Sequence, residues 1–184
     1  MRILALIFLV VTCTASSQTN DKKFLEGYGG QTVEQLIALA SDYRIDSLVL
    51  AFEQAIDQKS AKKQKLSEPE RDILAVEAME REVNNGGYHQ FFTNSSKQHV
   101  GVLPGALSRI GCPNAAQIAI DALAALKVEG AVSEAKITAS LTQLGDRAAP
   151  VLGKLDERYF QNNEPIADRL FAYIQTRKAD IVLK

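Results

Sequence analysis

The sequence predicts an all-α fold, a single-domain bundle of about seven or eight short helices. Apolar residues recur every three or four positions along most of the chain, which is the spacing of one helix face. Polar capping residues precede these stretches and glycines follow them, while no segment alternates apolar and polar residues as a half-buried strand does. The 184 residues are 46% hydrophobic and 23% charged, an ordinary globular composition. Short connections between the predicted helices indicate one domain.

The first fifteen residues predict export. Arg2 precedes an unbroken apolar stretch of nine residues, 3–11, and small residues follow it. This is the layout of a signal peptide cleaved after Ala15, and a lipoprotein signal with an acylated Cys13 is the alternative. We therefore expect a signal over 1–15, a polar tether over 16–31 and the helical domain over 32–184. The mature protein is then periplasmic or secreted, and it meets a membrane only if Cys13 is lipidated.

The first two helices follow from a cap and an apolar face. Thr32 and Gln35 have the spacing of a capping box, which predicts that the first helix begins there. A second helix is predicted over 46–59, because Leu48 and Phe52 begin a stripe of core residues. The lysine-rich segment 59–65 is then expected to be a solvated loop.

The third helix carries the most information. Ser67 and Glu70 form a second capping box at its start, and the glycines that follow Asn85 predict its end through a left-handed C-cap. On a helical wheel the apolar residues lie on one face, and the opposite face carries the polar residues Glu70, Glu77 and Arg81. Glu82 falls at the margin of the apolar face, so we expect a partly buried carboxylate that needs hydrogen-bond donors.

The remaining helices are marked mainly by glycine and proline. Residues 88–94 form a short aromatic helix or turn, and 103–110 form a helix that ends at a glycine. Further helices are expected from Pro113 to about Gly130, from Ser133 to Gly145 and over 146–161, and the last one is expected behind an N-cap at Asn163.

Charge and cysteine content exclude several classes of function. Lys and Arg number 21 against 22 Asp and Glu, a net charge of -1, so no direct nucleic-acid binding through phosphate neutralisation is expected. The chain has two cysteines, and export removes or acylates Cys13, which leaves Cys112 as a single buried thiol. The two histidines have no metal-ligand spacing, so we predict no metal, no cofactor and no catalytic residue.

A polar segment among aromatics, 82–96, is the candidate site. It contains a glutamate, amides, a histidine and hydroxyls between two apolar helices. One interpretation is a polar network that fixes a helix end against the next turn, and the alternative is a ligand-binding or hydrolytic site. The candidate binding or structural residues are Glu82, Asn84, Asn85, Gly86, Gly87, Tyr88, His89, Gln90, Phe91, Asn94 and Ser95.

The same segment carries a family resemblance. The run from Glu82 to Tyr88, followed by Gln90-Phe91-Phe92 and Asn94-Ser95-Ser96, resembles the signature of a bacterial family of small helical proteins. That family is of largely unknown function and includes a DNA-mimic protein. Further matches lie in Ala106-Leu107 with Ile110-Gly111 and in 155–160. The resemblance implies an all-α fold and no established catalytic activity.

Three functional hypotheses follow. The first is an exported, non-enzymatic helical protein that acts through protein–protein interaction, with an unknown protein partner, or as a structural module. The second is a ligand-binding or hydrolytic site at the 82–95 motif, and the third is a DNA mimic that binds a DNA-binding protein. A mimic needs a contiguous file of carboxylates, but the acidic stretch that begins at Glu68 also contains Arg71 and Arg81, so we predict no tight binding of this kind.

Overall fold

The computed structural model describes residues 22–128 and 131–183, and it confirms the all-α class. The predicted signal sequence lies outside the described residues. Within them no β-strand occurs, and a single isolated bridge pairs Lys23 with Tyr43. The α-helices of this part of the chain are α1 (Val33–Ala38), α2 (Ile45–Ala61), α3 (Glu68–Thr93), α4 (Leu103–Arg109), α5 (Pro113–Ala125), α6 (Glu134–Leu144), α7 (Ala148–Phe160) and α8 (Ile166–Arg177).

Capping residues define the helix starts, and most were predicted. Both capping boxes are confirmed, at Thr32 for α1 and at Ser67 for α3, and Ser133 caps α6. The predicted N-cap at Asn163 is wrong, because α8 begins only at Ile166, behind Pro165. A residue that precedes proline is disfavoured in the helical region, so the helix cannot extend back past this point.

Two predicted helix boundaries also differ. Helix α5 ends at Ala125 instead of near Gly130, and Lys127 beyond it has a positive φ of 54°. Helix α7 begins at Ala148 because a short 3₁₀ turn, Gly145–Arg147, precedes it. Both differences lie at helix ends, where the apolar spacing does not specify the last turn.

Helix α3 is the centre of the bundle, with α2, α4, α7 and the 3₁₀ turn Ser95–His99 packed around it. Part of its expected polar face is therefore buried: Glu70 is completely buried and Glu77 is 9% exposed, while Arg81 is exposed. Asp72, on the same helix, is also completely buried. Neighbouring helices supply partners, since the Lys59 Nζ lies 2.7 Å from Glu70 Oε1 and the Arg109 Nε lies 2.8 Å from Asp72 Oδ2. Lys59 therefore lies in the last turn of α2, where it forms a buried ion pair with Glu70, and it does not lie in a solvated loop.

The core is continuous through the bundle, as expected for one domain. Tyr88, Phe52, Phe91 and Phe92 are its largest fully buried side chains, and three of them come from the second half of α3. The single thiol described, that of Cys112, is buried in the same core as predicted. Within the described ranges, no helix has both the length and the apolar character that crossing a membrane requires.

Both ends of the described chain are fixed to α2 and α3. The backbone N–H of Tyr28 donates to Gln54 Oε1 at 2.8 Å, and its hydroxyl donates to the carbonyl of Leu183 at 3.2 Å. Near the C-terminus the N–H of Val182 donates to the buried Glu70 at 2.8 Å. Residues 22–31, which the sequence assigned to a polar tether, therefore lie against the helical domain.

Candidate functional site

The two glycines of the motif break α3. Gly86 is non-helical, with φ −157° and ψ 23°. Gly87 has φ 74° and ψ −176°, a combination that only glycine adopts at low cost. The prediction of a left-handed C-cap is wrong in part. Gly87 has the positive φ of such a cap, but its ψ is that of extended backbone, and α3 continues directly after it. At the restart the N–H of Tyr88 donates to Asp156 Oδ1 of α7 at 2.7 Å, which replaces the lost helical acceptor.

Glu82 lies just before this break and binds three side chains that follow it. The amides of Gln90 and Asn94 each donate to Oε2 at 2.8 Å, and the hydroxyl of Ser96 donates to Oε1 at 2.7 Å. The Glu82 side chain is buried, at 7% exposure. These four residues, named here the Glu82 cluster, tie the first half of α3 to its second half and to the Ser95–His99 turn.

Hydrogen bonding determines the charge state of Glu82. Burial by itself raises the pKa of this carboxyl, but the hydrogen bonds from Gln90, Ser96 and Asn94 outweigh burial, and the pKa lies below its ordinary value. The group is therefore ionised at neutral pH, with both oxygens already accepting hydrogen bonds. A carboxylate in this state is a poor general acid and a poorly placed general base.

The other candidate residues separate into two groups. Tyr88 and Phe91 are buried, and Tyr88 packs edge-on against Tyr159 with ring centroids 6.3 Å apart. The exposed residues, which lie outside the Glu82 cluster, are Asn84, Asn85, His89 and Ser95. His89 is next to Thr93 of its own helix and does not meet Glu82.

Of the two adjacent serines, the structure places Ser96 and not the candidate Ser95 beside Glu82. The hydroxyl that completes the Glu82 cluster belongs to Ser96, which is 4% exposed, while Ser95 faces solvent. The sequence signal was present, because Ser96 belongs to the same Asn94-Ser95-Ser96 run. Choosing between the two serines requires the direction of the chain after α3, which the 3₁₀ turn sets and helical periodicity does not.

A first cleft opens between α3 and the end of α7, and it is named here the α7 cleft. It encloses about 220 Å³ and is lined by Glu80, Asn84, Tyr159, Phe160, Asn162, Glu164 and Ile166. The Tyr159 hydroxyl donates to Glu80 Oε1. Burial raises the pKa of Glu80 although this hydrogen bond acts in the opposite direction. Phe160 at the rim is 60% exposed, and the sequence analysis did not identify this cleft.

A second cleft lies between α2, α3 and the Ser95–His99 turn. It encloses about 360 Å³, and its charged lining includes an ion pair between Arg81 and Glu53. Burial and the nearby Arg81 lower the pKa of His99, so its imidazole is neutral at pH 7. Glu77 lies close by, and burial together with the charges of Glu53 and Glu80 raises its pKa to about 8.

Metal binding has no support from the side-chain arrangement. Across residues 22–128 and 131–183, no three His, Cys, Asp or Glu side chains are placed to hold a metal ion. Each buried carboxylate of α3 that accepts a hydrogen bond takes it from within the protein, as Glu70, Asp72 and Glu82 do. The predicted absence of a cofactor stays a prediction.

Comparison with known proteins adds one match. The model of a family described as DMP19-like protein matches residues 64–177, more than half of the 184 residues. This span runs from the start of α3 to the end of α8 and includes the Glu82 cluster, Asp156 and the α7 cleft. Neither the curated proteins nor the solved structures include one that matches this chain.

Proposed function

We propose that this chain, which belongs to the DMP19-like protein family, acts by binding another protein and not by catalysis. The observation that carries the proposal is the saturation of Glu82. Its two oxygens accept hydrogen bonds from three side chains, and its lowered pKa keeps it ionised. The most chemically suggestive segment of the sequence therefore serves to hold α3, its break and the following turn in one arrangement.

The hydrolytic alternative lacks a convergent set of groups. An acid–base site needs a carboxylate, an imidazole and a nucleophile within hydrogen-bond reach of a common point. His89 and Ser95 face solvent and do not contact Glu82, and the buried hydroxyl of Ser96 already donates to the Glu82 carboxylate. The geometry therefore favours a structural role for the motif, with function carried by the surfaces that it positions.

The DNA-mimic alternative depends on exposed carboxylates, and α3 offers few. Glu70, Asp72, Glu77 and Glu82 are buried, and Glu80 is half-buried in the lining of the α7 cleft. Buried carboxylates cannot stand in for a row of phosphates on a surface. A contact that uses a particular side-chain pocket fits this chain better than charge mimicry along α3.

The rim of the α7 cleft is the contact surface that we propose. Phe160 is 60% exposed, the highest value among the large apolar side chains described, and it stands directly beside a polar cavity. Exposed aromatic residues beside a pocket are characteristic of protein-binding surfaces, because they bury a large area at small entropic cost.

A photo-crosslinking amino acid at position 160, in the native host, tests the proposal. We expect one dominant adduct with one protein. Position 175 on α8, also exposed, is the matched control and should give no such adduct. Recovery of the same adducts at both positions, or of none at 160, would show that this surface does not bind a partner.

We also propose that the mature chain is exported. The proposal rests on the apolar stretch 3–11 and the small residues after it. Intact mass of the protein from its native host should correspond to a chain that begins at Ser16, or at an acylated Cys13 for the lipoprotein route. A mass that includes Met1 would contradict export.

A further inference from the structure

We infer that the α7 cleft is a binding site for a guanidinium group, supplied by an arginine side chain of a protein or by a small guanidino compound. The inference deepens the proposed function and rests on it where the guanidinium belongs to the partner protein, since it then names the group that the partner presents. It depends on three features of the cleft: which hydrogen-bonding atoms remain unused, the absence of a basic residue from the lining, and the exposed ring of Phe160.

Each side-chain donor group that lines the cleft already donates a hydrogen bond within the protein. The Tyr159 hydroxyl donates to Glu80 Oε1, and the Asn84 amide nitrogen donates to the carbonyl of Glu80 at 2.7 Å. The Asn162 amide nitrogen donates to Glu164 Oε2 at 3.2 Å. No lysine, arginine or histidine lines the cleft. A ligand that needs several donors, such as a carboxylate or a phosphate, would therefore find no basic side chain and only the second N–H of the side-chain amides.

Two acceptors remain free. Glu164 is not one of them, because its oxygens accept the N–H groups of Asn114 and Ala115, each at 2.9 Å, and so cap the start of α5. Glu80 Oε2 and Asn84 Oδ1, in contrast, accept no hydrogen bond from the described residues. The cleft thus offers one carboxylate oxygen and one amide oxygen from the same face of α3, four residues apart.

These acceptors call for a cationic donor. Glu80 is a half-buried carboxyl with no basic residue beside it in the cleft lining, so a bound cation would supply a charge partner that the lining does not. The exposed Phe160 ring adds a face on which a flat cation can stack.

Guanidinium fits better than ammonium. It is planar, it presents several N–H donors in a fixed fork, and it stacks on aromatic rings, whereas an ammonium is a compact and strongly hydrated point charge. The volume of about 220 Å³ is below that of typical drug-sized pockets, so it suits one side chain.

Titration of the full-length chain with small probes tests the inference. The probes are N-acetyl-arginine amide, its neutral isostere N-acetyl-citrulline amide, and N-acetyl-lysine amide. The binding of each probe is measured from the changes that it causes in the backbone amide chemical shifts of the protein. We expect saturable shifts at Asn84, Tyr159 and Phe160 with the arginine probe, weaker binding of lysine and no saturable binding of citrulline. Equal binding of citrulline, or no saturable shift with arginine, would overturn the inference.

Two variants locate the site. Glu80→Gln keeps an acceptor for Tyr159 and removes the charge, and it should weaken arginine binding about tenfold or more. Phe160→Ala, on the surface, should weaken it about two- to fivefold. Glu157→Gln changes an exposed carboxyl of the same helix outside the cleft and should leave binding unchanged. If Glu157→Gln and Glu80→Gln weaken arginine binding equally, the binding is general charge attraction and not binding at the α7 cleft.

A last arm separates the two sources of the guanidinium and keeps this test independent of the proposed function. Probe binding requires no partner, so it succeeds or fails whatever the crosslinking at position 160 shows. If Glu80→Gln also removes the crosslinked adduct, the guanidinium comes from the partner protein. If arginine binds and the adduct persists, the cleft serves a small guanidino compound.

Discussion

Removal of the Glu82 carboxylate tests how strongly the motif stabilises the fold. Glu82→Ala leaves three donors without their acceptor: the amides of Gln90 and Asn94 and the hydroxyl of Ser96. They are not equivalent. Ser96 is 4% exposed and cannot turn to water, whereas Asn94 is exposed and Gln90 is half-buried.

The expected cost follows from this difference. A buried donor that loses its partner costs about 1–3 kcal/mol, and each donor that can reach water costs about 0.5 kcal/mol. Together they predict that Glu82→Ala lowers the free energy of unfolding by about 2–4 kcal/mol. Glu82→Gln keeps one acceptor oxygen and should lose about half as much.

Urea denaturation at pH 7 measures these values, with Glu157→Ala as the control. Glu157 is exposed on α7, so its replacement should change the stability by less than about 0.5 kcal/mol. A Glu82→Ala variant as stable as Glu157→Ala would refute the structural role of the cluster. The motif would then be interpreted as a binding surface.

The same variant has a predictable pH dependence. Because the folded pKa of Glu82 lies below its ordinary value, its charge stabilises the fold above that ordinary value, and this contribution disappears as pH falls through the folded pKa. The difference between wild type and Glu82→Ala should therefore be larger at pH 7 than near pH 3.

Two further variants test the break and the buried acid. Gly87→Ala should cost about 3 kcal/mol, since φ is +74° and a Cβ would lie 2.3 Å from Asp156 Oδ2, while Gly101→Ala, with no atom within 4 Å, is the tolerated control in the same denaturation assay. Glu77, with a pKa of about 8, binds its proton more tightly when folded, so its contribution to the free energy of unfolding should fall as pH rises from about 4.5 to 8. The difference in stability between wild type and Glu77→Gln should therefore change across this range in the same assay, and a pH-independent difference would contradict the assignment.

Local patterns predicted the parts of the fold that are determined locally. The capping boxes at Thr32 and Ser67 need residues three positions apart, and both form as expected. The need of Glu82 for amide donors also followed from the wheel, because its margin position predicted burial and the nearby amides were within reach. In each case the partners are fewer than fifteen residues apart in sequence.

Contacts between distant segments were not predictable in this way. The wheel placed Glu70 on a polar face of α3, but α2, α4 and α8 also pack on this helix, so Glu70 and Asp72 are interior groups. Their partners lie far along the chain: Arg109 and Tyr173 bind Asp72 from 37 and 101 residues away. One sequence contains no periodicity that encodes such pairings.

Three consecutive residues of α3 show how one helix serves both stability and surface. Successive side chains point about 100° apart, so Glu80, Arg81 and Glu82 enter three different environments. Glu80 enters the α7 cleft, Arg81 pairs with Glu53 in the second cleft, and Glu82 binds its cluster. The break at Gly87 and the Glu82 cluster hold these directions in place.

If the cluster is the element that positions Glu80, then Glu82→Ala should weaken binding of the arginine probe although Glu82 lies outside the α7 cleft. Unaltered probe affinity in a folded Glu82→Ala protein would show that the cleft keeps its shape without the cluster.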